Sequence, residues 1–184
     1  MGAVNAKVRY VNDEWRQRGE RPFIYSRELR HSNTTEHDVT ITDARNLQIV
    51  GSLDLDANGF VLTEFPAEAM NFRDESVVSS RYQTDIAPLV QSLSGADAVF
   101  VCSHQIRTET PKSFVNAYAR YVHCDYPMTT EGKNEQRILD KHGHRTPIGN
   151  VEFAWYNIWA PIDRVVEQNA LTVIDASTLL DEQF

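Results

Sequence analysis

The chain has 184 residues, 41% of them hydrophobic and 10% aromatic, which suffices for one globular domain with a sizeable core and excludes a disordered tail. Acidic residues number 26 against 18 Lys plus Arg, a formal charge of -8, and no basic run interleaved with aromatics occurs, which argues against a nucleic-acid partner. There is no apolar run long enough to span a bilayer, and the polar start lacks the apolar segment of a signal peptide, so the sequence predicts a soluble cytoplasmic protein with no membrane partner.

The first forty residues carry few apolar anchors beyond Val8, Tyr10, Trp15 and the cluster Phe23, Ile24 and Tyr25, and residues 1–38 are expected to wrap the outside of the domain. From Val39 the pattern alternates through Ile41, then Leu47, Ile49, Leu53 and Leu55, broken at Asp43-Ala44-Arg45-Asn46 and again at Asp56-Ala57-Asn58-Gly59. Alternation at period two predicts a strand pair, closed by a turn at Asn58-Gly59 and followed by a short strand at Phe60-Val61-Leu62. Between Asp74 and Leu93 the period changes: Val77, Val78, Tyr82, Ile86, Leu89, Val90 and Leu93 recur at helical spacing. Asp74 is placed to cap the start and Gly95 the end, and Pro88 should kink or divide the helix because it brings no amide proton to the ladder. Residues 98–104 then form a β-rich run, with further strands expected at 121–125, 153–159 and 170–174. Residues 131–141 read as a solvated loop or short helix. The two cysteines, Cys102 and Cys124, are expected to be free thiols.

Chemistry concentrates at Tyr121-Val122-His123-Cys124-Asp125. Side chains alternate across a strand, so His123 and Asp125 share a face and Cys124 takes the other. Two histidines and one carboxylate on one face of iron, with open positions for cosubstrate and dioxygen, form the facial triad of non-heme oxygenases. A bare His-x-Asp is also common as an ordinary hydrogen-bonded pair on a strand. His104, and the glycine-centred pair His142 and His144, are further candidate ligands, each with a structural alternative: a hydrogen-bonded strand residue and a polar loop. The aromatic cluster Phe153, Trp155, Tyr156 and Trp159 serves either as a substrate platform or as barrel wall. No Gly-x-Ser-x-Gly elbow and no glycine-rich phosphate loop is present.

Downstream of His123-Cys124-Asp125 come Trp155-Tyr156-Asn157-Ile158-Trp159-Ala160-Pro161 and then Leu171-Thr172-Val173-Ile174-Asp175-Ala176-Ser177. Upstream stand Asp43-Ala44-Arg45, Leu53-Asp54, Asn58-Gly59-Phe60, Phe72-Arg73-Asp74, Gly95-Ala96 and His104-Gln105-Ile106-Arg107. In this order, over roughly residues 39–177, the chain resembles the AsaB/CmcJ-like hydroxylase and desaturase family. The resemblance implies a mainly β fold with flanking helices (α+β), a double-stranded β-helix of the jelly-roll or cupin type. It also implies Fe(II) and 2-oxoglutarate, hydroxylation or desaturation of a small molecule in secondary metabolism, His123 and Asp125 as metal ligands, and Asn157 and Trp159 lining the substrate pocket.

Two departures from that family shape the expectation. No histidine follows His144, so the third ligand is unassigned, and Ala160 stands where the family has the arginine of Trp-Arg-Pro. Holding an oxoacid carboxylate calls for a guanidinium fork, which leaves Arg107, or Arg164, as the cofactor-binding cation. The chain is expected to be a single domain of residues 1–184, with the helix and an incomplete jelly-roll core over 39–184. A homodimer would cover the open edge that a shortened barrel leaves. The alternative reading is a jelly-roll protein without oxidative activity, either a small-molecule-binding protein or a non-redox isomerase or cyclase.

Overall fold

In the computed structural model, residues 2–20, 22–23, 26–49, 51–64, 71–108, 118–119, 121–125, 133–162 and 164–179 are described. Ile24 and Tyr25, expected as apolar anchors, lie outside these residues, as do 131 and 132. The chain divides into two compact units: Met1–Asp54 with Phe60–Leu62 and Arg107–Asp125, and Leu55–Gly59 with Thr63–Ile106 and Tyr126–Phe184. The described elements are helices together with one two-stranded antiparallel sheet, an α+β arrangement.

In the first unit, β1 (Ala3–Val11) pairs antiparallel with β2 (Thr34–Thr42), from Ala3 opposite Thr42 to Val11 opposite Thr34. Alternation sorts the ribbon into two faces. Val4, Ala6 and Val8 share a face with Val39 and Ile41, and the Tyr10 and His37 rings meet edge to face there at 5.5 Å. The other face is charged: Lys7 bridges Glu36 at 3.1 Å and Arg9 bridges the same carboxylate at 3.2 Å. Two short helices fill the connection. In α1 (Asp13–Arg18), the Asn12 side chain accepts from the Trp15 amide and Gly19 closes the end at φ +63. In α2 (Arg27–Asn33), Ser26 Oγ accepts from the Leu29 amide.

Residues 47–49 correct the sequence expectation. After the break at Asp43-Ala44-Arg45-Asn46 the alternation predicted the second strand of the pair, and the chain forms α3 (Ala44–Ile49) instead. Asp43 Oδ1 accepts from the Arg45 amide at 3.1 Å at the start. At the end Gly51, at φ +67, donates to the Gln48 carbonyl while Ser52 donates to that of Leu47. This paired closure is the Schellman stop, and such end signals outweigh three alternating apolar residues. Val39 and Ile41 therefore pair back onto β1 and not forward onto 47–55.

The second unit opens with α4 (Leu55–Asn58), whose last carbonyls are closed by the Gly59 amide on Leu55 O with Gly59 at φ +75. The long apolar period then produces α5 (Glu75–Arg81), a π-turn (Tyr82–Ile86) and α6 (Ala87–Ser94). Asp74 caps α5 through the Ser76 and Val77 amides, and Gly95 ends α6 at φ +69, as the sequence predicts. The helix is divided just ahead of Pro88, because the π-turn admits a proline at the start of α6 where its missing amide costs least. Phe72 and Val78 form the buried cluster, with Val77, Tyr82, Ile106 and Ile162 packed around it. The helix α7 (Lys133–Lys141) buries Leu139, and its Gln136 side chain accepts from the Ile148 amide at 2.9 Å.

Residues 60–62, 98–104, 121–125, 153–159 and 170–174 were expected as strands and carry no ladder among the described residues. Their backbone and side chains are partnered otherwise. Phe100 lies against the His142 ring at 4.7 Å, His104 is hydrogen-bonded to the buried cluster, and Trp155 packs on Phe153 at 5.8 Å. A β-rich composition becomes a strand only where another backbone is offered in register.

Candidate functional site

The segment 121–125 is tied into the first unit by the Val122 amide, which donates to the Arg9 carbonyl of β1 at 2.7 Å. The i, i+2 relation then brings His123 and Asp125 together: His123 Nε2 lies 3.2 Å from Asp125 Oδ1, and both side chains are partly exposed. His123 Nδ1 lies 3.0 Å from the Tyr121 carbonyl oxygen, and the Tyr121 and His123 rings are 4.8 Å apart. A carbonyl only accepts, so Nδ1 carries a proton and the electron pair of a neutral ring sits on Nε2. That pair faces a carboxylate oxygen. Two acceptors at this distance are held together by a cation, either a second ring proton or a metal ion.

An imidazole nitrogen and a carboxylate oxygen are donor types that metal ions accept, and here there are two of them. At metal to ligand distances of about 2.1 Å, two ligands at right angles stand about 3 Å apart, which the 3.2 Å separation approaches. The Nδ1 bond to a backbone carbonyl is the outer-shell support that orients ligating histidines. Among the described residues no group of three or more His, Cys, Asp or Glu side chains is assembled for a metal.

The other candidates divide as follows. His104 is spent inside the second unit: Nε2 donates to the Phe72 carbonyl at 3.1 Å and Nδ1 pairs with the Tyr82 hydroxyl. Burial pushes the Tyr82 phenol up from its ordinary value, so it stays a donor. His142 and His144 flank the Phe100 ring, at 4.7 and 5.2 Å. Arg107 is half-buried in the first unit, while Asn157 and Trp159 are exposed in the second. Trp155, in the same aromatic stretch, donates its indole proton to Glu135 Oε1 at 3.2 Å. Cys102 and Cys124 are free thiols.

One feature escaped the sequence reading. A cleft of about 430 Å³ in the first unit is lined by Arg9, Arg27, Arg30, His31, Thr34 and Tyr121. Its signal was present as the i, i+3, i+4 spacing of Arg27, Arg30 and His31, which places three side chains on one side of a helix. No described helix is long and apolar enough to cross a membrane.

Residues 8–184 match the family model described as "Oxidoreductase/YMDC permease-like domain". The chain is 28% identical over 153 residues to an Fe(II)/2-oxoglutarate-dependent dioxygenase, nvfI, of Aspergillus novofumigatus, covering 80% of this chain and 54% of that protein. It is 27% identical over 164 residues to the oxidoreductase AN1597 of Emericella nidulans, covering 84% and 54% respectively. The chain thus spans about half the length of the curated relatives it matches. No solved structure matches it.

Proposed function

Because the chain belongs to the oxidoreductase/YMDC permease-like domain family, we propose that it is a non-heme iron, 2-oxoglutarate-dependent oxidoreductase of the AsaB/CmcJ-like hydroxylase and desaturase type. Its substrate is a small molecule of secondary metabolism, and its complete fold is a jelly roll. The observation that carries this reading is the pair His123 and Asp125, with Nε2 turned to Oδ1 at 3.2 Å and Nδ1 occupied by the Tyr121 carbonyl. The name of the Aspergillus relative, an Fe(II)/2-oxoglutarate-dependent dioxygenase, supports the choice of metal and cosubstrate.

In this reading His123 and Asp125 are two of the metal's ligands. Arg107, in the same unit, holds the oxoacid carboxylate through its guanidinium. Bound Fe(II) with 2-oxoglutarate supplies dioxygen activation and removal of hydrogen from an unactivated carbon, chemistry no side chain performs alone. The chain's own part is to keep the His123 ring in the one tautomer that presents Nε2, through the Tyr121 carbonyl.

A second reading, a jelly-roll protein that binds a small molecule or isomerises or cyclises it without oxidation, is favoured by Ala160 in place of arginine and by the internal commitment of His104. Anaerobic Fe(II) titration by calorimetry, with and without 2-oxoglutarate, decides between them. The oxygenase reading expects micromolar binding that 2-oxoglutarate tightens and that the His123→Ala, Asp125→Ala double variant abolishes. A folded wild-type chain that takes up no Fe(II) overturns it for this chain.

A further inference from the structure

The first unit holds a cation-lined cleft that the metal chemistry above does not use. Arg27, Arg30 and His31 lie on one side of α2 and, with Arg9, Thr34 and Tyr121, line a cleft of about 430 Å³. That volume lies within the range of small-molecule sites, roughly 300–1,000 Å³. In a chain of net charge -8 such a concentration of cations is local and needs a reason, since like charges three and four residues apart destabilise a helix.

The floor of the cleft is rigidly built. Arg9 Nε donates to Thr34 Oγ1 at 2.8 Å, and its remaining nitrogens donate to Glu36 Oε2 at 3.2 Å, to the His31 carbonyl at 3.2 Å and to the Thr34 carbonyl at 3.1 Å. The Thr34 hydroxyl, buried with its residue, donates to the Arg30 carbonyl. Arg9 therefore spends its donors fixing the end of α2 against β2, and Glu36 neutralises it. The cations of the helix are differently placed. Among the described residues neither Arg27 nor Arg30 has a carboxylate within ion-pairing distance. Glu28, between them, is held below its ordinary value first by its own backbone amide and then by the Ser26 hydroxyl, with the two arginines as weaker causes. Its carboxylate is thus directed at the start of the helix.

We infer that this cleft binds a small oxyanion, a carboxylate or phosphate group, through the Arg27 and Arg30 guanidinium forks with His31 beside them. Planar forks suit the two oxygens of either group. The Tyr121 wall is the same residue whose carbonyl orients His123 and whose ring lies 4.8 Å from that imidazole. The cleft and the His123 and Asp125 pair therefore share Tyr121. The role of that anion, as the acid group of the substrate, rests on the proposed oxygenase function. Binding itself does not.

The test is titration of the metal-free full chain, in the presence of a chelator, with glutarate and separately with inorganic phosphate. Binding is followed by calorimetry and by amide resonances of residues 26–34 and 121–125. Saturable binding of either probe is expected, weakened about tenfold or more in Arg27→Gln and in Arg30→Gln, as loss of one charge-assisted fork requires. The two variants should keep the wild-type thermal midpoint, since Arg9 and not these arginines joins α2 to the sheet. Repeating the glutarate titration with Fe(II) and 2-oxoglutarate bound separates the two sources of the anion. Retained glutarate binding assigns the cleft to an acidic substrate, and competition assigns it to the cosubstrate. Absence of binding by a folded wild-type chain, or equal binding by the arginine variants, overturns the inference. Fe(II) uptake without glutarate or phosphate binding would do so while leaving the oxygenase reading intact.

Discussion

Asn58 Nδ2 donates to Asp175 Oδ1 across 3.0 Å, joining residues 117 positions apart in the chain. Beside this bond Gly59 sits at φ +75, and a Cβ built there would stand 3.3 Å from the Ala176 Cβ. Both the backbone angle and the close approach call for glycine. Gly59→Ala should destabilise the fold by about 1–2 kcal/mol through the left-handed conformation alone. Chemical denaturation checks this, and an unchanged midpoint would show that residue 59 does not hold the left-handed conformation in solution.

Asp175 also predicts an acid dependence. The Ser177 hydroxyl first, and the Asn58 amide next, hold its carboxyl below the ordinary aspartate value. Asp74 is lowered in the same direction, first by the Ser76 hydroxyl and then by the Val77 and Ser76 amides. A carboxyl with a depressed folded pKa stabilises fully above its unfolded value, about 3.9, and loses that contribution as pH falls through the folded value. Stability should therefore decline from pH 4 downward, and Asp175→Asn should decline less steeply over that window. Thermal midpoints measured between pH 2 and 5 compare the two slopes.

The Tyr82 hydroxyl, His104 and the Phe72 carbonyl form one hydrogen-bond chain over the buried Phe72 and Val78 pair. Tyr82→Phe should cost about 1 kcal/mol, the loss of one part-buried bond. Val78→Ala, at a side chain that is 2% exposed, should cost about 2 kcal/mol through transfer and cavity terms. Equal effects of the two variants would contradict the ranking of packing above this bond.

Leu139 is 4% exposed on α7, and the Leu139→Ala variant should lose about 3 kcal/mol. The same helix holds Glu135, which accepts the Trp155 indole proton, so loss of Leu139 should also alter tryptophan emission. Fluorescence during denaturation reads both effects, and unchanged emission would place Trp155 away from α7.

Fe(II) should raise the thermal midpoint of the wild-type chain, since a ligand present at 100 times its dissociation constant adds about 2.7 kcal/mol. His123→Ala should remove the increment while leaving the metal-free midpoint nearly unchanged, its side chain being partly exposed. A large drop in the metal-free midpoint would instead make His123 a structural residue.

What the sequence determined by itself were features whose cause is local. The Asp74 and Gly95 ends of the divided helix and its interruption just ahead of Pro88 each depend on neighbours within a few positions and are legible as written, whereas His123 and Asp125 meet without the strand that the sequence predicts there. Tertiary structure alone decided which segments with β-like composition acquire a partner. Val39 and Ile41 found β1, whereas 98–104 is taken up by ring contacts and by the Tyr82 and Phe72 bonds to His104. The cleft shows the same division. The spacing of Arg27, Arg30 and His31 sets their common side of α2, but only the Val122 to Arg9 bond and the Arg9 network bring Tyr121 into the same cleft. Local patterns fix backbone geometry over one or two turns, while a pairing between distant segments depends on the free energy of all the contacts formed together.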